Sequence, residues 1–166
     1  MSADAILNET RHYENGIAIR PAAEADLPAI IALLVDDPLG KTRERLEDPV
    51  PRSYLAAFEA MTAQAGNVYL VAERAGTVIG CVQVTFIPGI SREGMTRANM
   101  EGVRIASSVR GIGLGKTMMR DAIDRSREAG CGLVQLTTDA RREDAQQFYA
   151  ALGFKPSHIG MKLDLP

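Results

Sequence analysis

Two runs of β-forming residues lie next to each other in the middle of the chain, and they constrain the fold most. Residues 67–74 and 77–87 are rich in Val, Ile, Thr and Tyr, and only an Ala-Gly pair separates them. Runs of this kind joined by a short turn are typical of an antiparallel hairpin. A third candidate strand, residues 95–106, follows a loop over residues 88–94. Three successive strands with short connections predict a largely antiparallel sheet at the centre of the fold.

Helical periodicity flanks this central region on both sides. In residues 24–35, Leu27, Ile30, Ile31 and Leu34 recur at the spacing of one helix face. The four predicted helices span residues 24–35, 53–65, 113–129 and 143–152. The remaining predicted strands span residues 17–20, 132–138 and 159–165. The order β-α-α-β-β-β-α-β-α-β predicts an α/β (α+β) fold, with a mixed, mostly antiparallel central sheet flanked by helices.

The length and the charge balance exclude several classes of protein. A chain of 166 residues fits one domain, and no linker divides it, so we predict a single domain over residues 16–166. Nineteen Lys and Arg against 21 Asp and Glu give a net charge of −2, which provides no bulk attraction to nucleic acid or anionic lipid. The longest purely apolar run, residues 29–35, is far shorter than the about 20 residues of a membrane-spanning helix. We therefore expect neither a nucleic-acid partner nor a membrane partner.

The first residues and the cysteines bear on the compartment. Residues 1–15 carry several acidic side chains and no apolar core, so we interpret them as a polar N-terminal leader and not as a signal peptide. Cys81 and Cys131 lie far apart, without the spacing of a metal site. Two cysteines in a chain of this size favour reduced thiols and a cytoplasmic location, and we expect no bound metal.

The most informative segment is Val109–Thr117, where Gly111, Gly113 and Gly115 alternate between a predicted strand and a predicted helix. Glycines let the backbone approach a ligand closely, and the first N–H groups of a helix lack internal partners. A phosphate group satisfies both features, and Arg110 adds a forked cationic donor. The alternative is a tight strand-to-helix turn that only needs glycine. The combination favours an anion-binding loop.

Two common phosphate-binding motifs do not fit this loop. A Walker A loop needs glycine five positions before Gly115, where Arg110 stands. The dinucleotide fingerprint needs glycine at Lys116 or at Met118, depending on where it starts. The loop also lies late in the chain, after the predicted antiparallel strands, where neither fold would place it.

The pattern that does fit is Arg110-x-x-Gly113-x-Gly115. It resembles the acetyl-coenzyme A signature of the Gcn5-related N-acetyltransferases, the GNAT superfamily, written Q/R-x-x-G-x-G/A. Residues 19–22, Ile-Arg-Pro-Ala, are similar to the usual opening strand of that family, and residues 148–154 resemble its F-Y-x-x-x-G-F helix end. The order of elements from residue 17 onwards is also similar, so the resemblance covers nearly the whole chain.

The resemblance implies a GNAT-like acyl-CoA N-acyltransferase fold and acetyl-CoA as co-substrate. In the family, the pantetheine arm pairs like an extra strand with the strand before the glycine loop, and backbone N–H groups of the loop hold the pyrophosphate. The residues that we predict on this basis to bind the cofactor are Val103, Arg104, Ile105, Arg110, Gly111, Ile112, Gly113, Leu114, Gly115, Lys116 and Arg142. Arg142 stands where many members carry an asparagine, and its alternative role is a solvent-facing charge.

Two residues are candidates for the proton transfers. Tyr149 matches the family tyrosine that donates a hydrogen bond or a proton to the departing thiolate, and a phenol is protonated at neutral pH. Its alternative role is packing, because it lies on an apolar helix face. Glu101, four residues before Ile105, is the candidate general base for the acceptor amine. Its alternative role is a solvated charge on a strand.

The predicted activity is direct transfer of an acetyl group from acetyl-CoA to a primary amine, on a small molecule or a peptide. Two other hypotheses stay open. The domain could bind acyl-CoA as a sensor without chemistry, or it could be a nucleotide-binding domain unrelated to acyl transfer. The resemblance is also compatible with a homodimer.

Overall fold

The computed structural model describes residues 2–37 and 39–165. Three residues lie outside the described part of the chain: Met1, Pro38 and Pro166. They are the first residue of the predicted leader, a residue shortly after the first predicted helix, and the last residue of the predicted domain. The strands are β1 (Arg11–Tyr13), β2 (Ile17–Pro21), β3 (Asn67–Arg74), β4 (Thr77–Ile87), β5 (Arg97–Ile105) and β6 (Leu133–Leu136). The helices are α1 (Ala3–Leu7), α2 (Leu27–Val35), α3 (Arg52–Thr62), α4 (Ser91–Gly94), α5 (Leu114–Glu128) and α6 (Glu143–Ala151). Short 3-10 turns span Glu14–Gly16, Glu24–Asp26, Gly40–Thr42 and Ser107–Val109.

The six strands form one sheet in the order β1-β2-β3-β4-β5-β6. All neighbours are antiparallel except β5 and β6, which run parallel because α5 carries the chain back between them. A parallel pair needs a crossover of this kind, whereas the hairpin of β3 and β4 needs only a two-residue turn. The predicted mixed, mostly antiparallel sheet with flanking helices is confirmed.

The two faces of the sheet differ in composition. On one face, alternate residues of β3, β4 and β5 are apolar, and they form the main core together with the inner side of α5. Members of this core with almost no exposed surface are Leu70, Val82, Val84, Ala98, Met100, Met118 and Met119. On the opposite face, α2 covers only one end, where Ile30 and Leu33 pack on Val71 and Cys81. The rest of this second face carries polar side chains.

The N-terminal segment differs from the polar leader expected from its acidic residues. It contains α1 and β1, and Ile6 and Leu7 are buried. The guanidinium of Arg125, which has no exposed surface, donates to the carbonyl oxygen of Ile6 at 2.6 Å and to Asp121 Oδ2 at 2.7 Å. The sequence did not indicate this packing, because the partner that holds the segment lies 119 residues away on α5.

The C-terminal segment also differs from the prediction. Residues 159–165 were predicted to form a final strand, and the structure assigns no strand to them. Ile159, Met161, Leu163 and Leu165 are each more than four-fifths exposed. The prediction was wrong because alternation of apolar and polar residues reports side-chain periodicity only, whereas a strand also needs a partner edge. The neighbouring β6 is only four residues long.

The other predicted elements are confirmed with small changes at their ends. In the loop of residues 88–94, α4 is a single turn in which Arg92 and Glu93 have positive φ. Of the helices that the structure describes, none combines the length and the apolar composition needed to cross a lipid bilayer.

Candidate active site

The sheet splits between β5 and β6. The two strands pair only over Arg97–Met100 of β5 and Leu133–Leu136 of β6. Beyond Met100, no residue of β5 has a β6 partner in the part of the chain that the structure describes. The second half of β5 therefore presents an open edge, flanked by the glycine segment before α5 and by the start of α6.

A β-bulge in β5 lies at the start of this open edge. Cys81 pairs with Arg104 and Gln83 pairs with Glu101, so Gly102 and Val103 lie together opposite one residue of β4. Gly102 has φ of +61°, and an added Cβ would lie 2.7 Å from the Tyr69 hydroxyl oxygen. Only glycine fits this position, and the extra residue bends the strand.

The bulge also decides which face each side chain of β5 occupies. Val103 and Ile105 pack against the main core, and Arg104 points to the opposite face with its partner Cys81. Without the extra residue, Glu101 and Arg104 would lie on opposite faces, because side chains alternate along a strand. With it, both lie on the face partly covered by α2.

Backbone donors line the open edge. The N–H of Ala106 donates to Ile79 of β4 at 3.0 Å. Because the direction of backbone groups alternates along an antiparallel strand, the N–H groups of Val103 and Ile105 point away from β4, towards the split. The carbonyl oxygen of Ile105 on this edge accepts a hydrogen bond from Arg110 Nε at 3.2 Å. The edge thus offers donors to an extended ligand.

The glycine segment adds a second set of donors. Gly111 and Gly113 have φ of +85° and +87°, and Gly113 caps α5 without any side-chain hydrogen bond. The first amides of α5, at Leu114, Gly115 and Lys116, are therefore oriented as the free donors of a helix N-terminus. An added Cβ on Gly111 or Gly113 would meet nothing within 4 Å, so the space beside these two glycines is open. This arrangement fits an anionic ligand such as a pyrophosphate.

Gly115 has a different reason to be glycine. A Cβ there would lie 3.4 Å from the Phe148 ring and 3.6 Å from the Ile105 side chain. The residue thus lets α5, α6 and β5 approach one another closely at the split. Ile112, at the tip of the segment, is about half exposed at 55%.

The Arg110 side chain lies beside this loop. Its Nη2 donates to the carbonyl oxygen of Asp36 at 3.3 Å and lies 3.7 Å from the Asp36 carboxylate. More than half of the side chain stays exposed. Arg110 is therefore held next to the helix N-terminus while its charge remains accessible to a ligand.

Arg142 is engaged within the protein. It precedes α6, and its guanidinium binds both carboxylate oxygens of Asp37, with Nη1 to Oδ1 at 2.7 Å. Asp37 is buried and also accepts from the backbone N–H of Gly40 at 3.0 Å, and Arg104 Nη2 lies 3.9 Å away. Burial alone would raise the pKa of Asp37, but the hydrogen bonds from Arg142 and Gly40 outweigh it, so the pKa is lowered. In this arrangement Arg142 ties α6 to the loop after α2.

Tyr149 lies on the inner side of α6. Its ring makes edge-to-face contacts with Phe148 and Phe154, with centroid distances of 5.3 Å and 5.9 Å. The chain folds back on the helix end at Phe154, whose N–H donates to the Tyr149 carbonyl oxygen at 3.1 Å. Burial raises the pKa of Tyr149, and the positive charges of Arg104 and Arg142 partly offset the rise. The phenol is therefore a stable proton donor at neutral pH.

Glu101 is exposed, on the sheet face opposite the main core. It pairs with Gln83 of β4 in the residue immediately before the bulge. Its carboxylate and the Tyr149 phenol therefore belong to two different structural elements at the same split, β5 and α6.

The two cysteines have no reactive setting. Cys81 is buried, and burial raises its pKa to about 12; burial also raises the pKa of Cys131. In residues 2–37 and 39–165, no three His, Cys, Asp or Glu side chains are grouped so that they could hold a metal ion.

Three residues of this site escaped the sequence analysis: Asp37, Tyr69 and Gly102. For Gly102 a signal existed, because an isolated glycine inside a strand pattern indicates a bulge. Asp37 and Tyr69 gave none, because their partners are distant in the sequence.

Comparison with known proteins agrees with this geometry. Residues 29–154 match the model of the acetyltransferase (GNAT) family. A glucosamine 6-phosphate N-acetyltransferase of Trypanosoma brucei brucei is 31% identical over 151 residues, which are 90% of this chain and 96% of that protein. An aminoalkylphosphonate N-acetyltransferase of Salmonella typhimurium is 30% identical over 91 residues, 55% of this chain and 58% of that protein.

Among solved structures, one described as a transcriptional regulator from Bacillus halodurans C-125 superposes with a TM-score of 0.87 and 45% identity, over 90% of this chain and 99% of that one. The family match spans more than half of the chain, and the Trypanosoma relative is similar over nearly its whole length. The chain therefore belongs to the acetyltransferase (GNAT) family and is an acetyl-CoA-dependent N-acetyltransferase.

Proposed function

We propose that the enzyme transfers the acetyl group directly to the primary amino group of a small molecule, at the split between β5 and β6. The observation that carries this proposal is the bulge at Gly102. The open edge of β5 that begins at this bulge would bind one ligand, and Glu101, just before it, lies on the sheet face opposite the main core. The two substrates would thus approach the split from different sides.

Backbone groups would hold acetyl-CoA. The amides from Gly111 to Lys116 would bind the pyrophosphate, with Arg110 beside them, because α5 begins there without a side-chain cap and the Arg110 side chain is more than half exposed. The N–H groups of Val103 and Ile105 would pair with the pantetheine arm, and one of them would polarise the thioester oxygen. When bound, acetyl-CoA supplies the activated acetyl group as a thioester. Arg142 is not needed for direct contact, because it already binds Asp37.

Glu101 and Tyr149 would divide the proton transfers. An ammonium group is no nucleophile, so Glu101 would accept a proton from the acceptor nitrogen, directly or through water. The Tyr149 hydroxyl would give its proton to the departing sulfur and would be reprotonated from solvent. A phenol is protonated at neutral pH, and burial raises the pKa of Tyr149 further, so the hydroxyl would enter the reaction with its proton.

The relatives support a small acceptor. The Trypanosoma and Salmonella proteins act on glucosamine 6-phosphate and on aminoalkylphosphonates by name, and both are small amines. The exposed polar surroundings of Glu101 also suit a water-soluble amine.

A thiol-release assay over a panel of primary amines tests the proposal. The panel contains amino sugars with and without a phosphate, aminoalkylphosphonates, alkyl amines and a lysine peptide. We expect acetyl-CoA-dependent thiol release with at least one small amine, and the acetamide product by mass spectrometry. Tight binding of acetyl-CoA without turnover on any amine would favour the sensor hypothesis instead.

A further inference from the structure

We propose that the polar sheet face beside Glu101 is the floor of the acceptor site, and that this floor selects a small polyhydroxylated amine. The inference rests on the proposed function, in which Glu101 accepts a proton from the acceptor nitrogen and the acceptor therefore lies next to Glu101. The floor consists of Asn67, Gln83, Thr85, Asn99 and Gln135. We call these five residues the polar floor.

The pairing register places the polar floor on one face. Asn67 pairs with Thr85, Thr85 with Asn99, and Asn99 with Gln135, which makes a continuous row across β3, β4, β5 and β6. Cα partners in neighbouring strands direct their side chains to the same face of a sheet. The next row along the strands contains Tyr69, Gln83 and Glu101. The candidate base thus lies next to a patch of hydroxyl and amide groups.

The polar floor is accessible although it lies in the centre of the sheet. Val82 and Val84, which alternate with its β4 residues, have no exposed surface. Gln83 and Thr85 keep partial exposure, as do the other three members. Because β4 has strands on both sides, a residue of β4 stays exposed only where no helix covers that face. A cleft above the sheet is therefore open to a ligand at this point.

A helix borders the cleft. Helix α3 contacts β3, yet none of its residues is fully buried. A cavity of about 320 Å³ lies at its C-terminal end and borders the polar floor at Asn67, while most of its other lining residues, Asp4, Pro21 and Met61 among them, lie on the far side of β3 from Glu101.

The polar floor offers both hydrogen-bond donors and hydrogen-bond acceptors to a ligand. Asn67 Oδ1 accepts from Gln83 Nε2 at 3.0 Å and from Thr85 Oγ1 at 3.1 Å, and Asn99 Oδ1 accepts from Gln135 Nε2 at 3.3 Å. These bonds leave amide carbonyl oxygens as acceptors on Gln83 and Gln135, and the amide N–H groups of Asn99 as donors. A hydroxyl group both donates and accepts, so several hydroxyl groups on one ligand would satisfy such a mixed set.

The charge pattern points to the same class of ligand. The polar floor is uncharged, and the carboxylate in the adjoining row belongs to Glu101. Asn99 and Glu101 are two residues apart on the same face, or about 7 Å along the strand. A ligand whose ammonium group contacts Glu101 would therefore bring its other substituents, about the length of one sugar ring away, over the polar floor.

An uncovered antiparallel sheet face often carries polar residues only because it meets water. Such a solvated face would not discriminate between acceptors. The two explanations therefore differ in the effect of the floor on substrate selectivity.

The test compares D-glucosamine with cyclohexylamine, two primary amines on six-membered rings. Each kcat/KM is calculated from the concentration of the unprotonated amine. We expect kcat/KM for glucosamine to exceed that for cyclohexylamine by at least about 100-fold, because a site built to bind hydroxyl groups rejects an analogue without them. Glucosamine should also bind measurably by calorimetry in the presence of CoA. An equal or higher kcat/KM for cyclohexylamine would overturn the inference and leave the proposed function intact.

Two near-isosteric variants assign the selectivity to the floor. We expect Asn99→Leu and Thr85→Val each to reduce the preference for glucosamine by about tenfold, the effect of one hydrogen bond between neutral groups. Gln147→Leu, on the exposed surface of α6, is the matched control and should keep the wild-type ratio. An unchanged ratio in both floor variants, with unchanged thermal unfolding, would contradict the proposal. If no amine of any kind is acetylated, the proposed function fails, and this inference with it.

Discussion

Arg142 and Asp37, 105 residues apart in the sequence, form a bidentate ion pair that joins the start of α6 to the loop after α2. Asp37 is buried, and the backbone N–H of Gly40 occupies another of its lone pairs. The pair ties α6, which carries Tyr149, to the loop after α2, and Arg104 of β5 lies 3.9 Å from the same carboxylate. The geometry of the split therefore depends on a contact between two segments that bear no motif.

We expect Arg142→Met to lower the free energy of unfolding by about 1–3 kcal/mol, because it leaves the buried Asp37 without its charged partner. The folded state lowers the pKa of Asp37, so this stabilisation is present above the carboxyl's unfolded pKa of about 3.9 and is lost as the pH falls through the folded value. Urea unfolding should show the loss at neutral pH and a smaller difference at acid pH, once Asp37 is protonated in the folded state.

Arg141→Met is the matched control for this variant. Arg141 lies next to Arg142 but forms its ion pair with Asp139 on the surface, with 73% of its side chain exposed. It should leave the stability unchanged. An equal loss in both variants, or a loss in Arg142→Met that does not depend on pH, would show that the ion pair with Asp37 is not the cause.

The next prediction concerns the charge beside the glycine segment. Arg110→Ala should weaken acetyl-CoA binding by about 1–3 kcal/mol, because a charge-assisted contact to phosphate is lost. The difference should shrink at high salt, since the side chain is more than half exposed and screening reaches it. Calorimetric titration measures both. Arg120→Ala, an exposed arginine further along α5, is the control, and unchanged affinity in Arg110→Ala would remove Arg110 from the site.

Gly113→Val should abolish acetyl-CoA binding and leave a folded protein by circular dichroism. Gly113 has φ of +87°, where valine is strained, and the new side chain would enter the open space beside the residue that caps α5. Gly76→Val is the control, because Gly76 has a similar φ of +78° and lies in the distant turn between β3 and β4. Full retention of binding in Gly113→Val would mean that the segment is only a turn.

The buried network of Arg125 supports the N-terminal segment. Arg125→Met removes the donors to Asp121 and to the Ile6 carbonyl oxygen, and should lower the free energy of unfolding by about 3–5 kcal/mol. Arg127→Met should have little effect, because the ion pair of Arg127 with Asp124 on the same helix is exposed. Denaturant unfolding of both variants checks this, and similar losses would contradict the special role of the buried guanidinium.

The parts of this site that the sequence predicts are those whose contacting residues lie close together in the chain. The glycine segment and its helix could be recognised because the residues that form them are consecutive, and Phe154 could be placed because a helix end is a local structure. The pairing of Arg142 with Asp37, and of Arg125 with Ile6, could not be predicted because the partners are more than 100 residues apart. The polar floor left a trace in the alternation of Gln83 and Thr85 with buried valines, but its row across four strands requires the pairing register.

In the exposed C-terminal segment, a regular local pattern predicted an element that does not form. Its alternation was as regular as that of β4, yet residues 159–165 form no strand. In β4 the same alternation is satisfied by partners on both sides and by a helix over one face. Periodicity thus indicates which side chains could share a face. Whether a strand forms depends on a neighbouring strand to pair with and on a helix that covers the apolar face.

The last prediction concerns the Tyr149 hydroxyl. Tyr149→Phe keeps the ring contacts with Phe148 and Phe154 and removes only the hydroxyl group. We expect near-normal stability and cofactor affinity, and a turnover lower by roughly 10²–10⁴, the usual effect of losing a general acid or base. Steady-state kinetics with the best amine of the panel measures this. Because burial raises the pKa of Tyr149, its proton is lost only above the usual value of about 10, so wild-type turnover should not fall through ionisation of this group below that pH.

Tyr13→Phe is the control for this variant. The Tyr13 hydroxyl lies away from the split and donates to Asp121 Oδ1 at 2.6 Å, so its loss should change stability without changing turnover. Wild-type turnover in Tyr149→Phe would mean that another donor, or water, protonates the sulfur, and that Tyr149 serves packing alone.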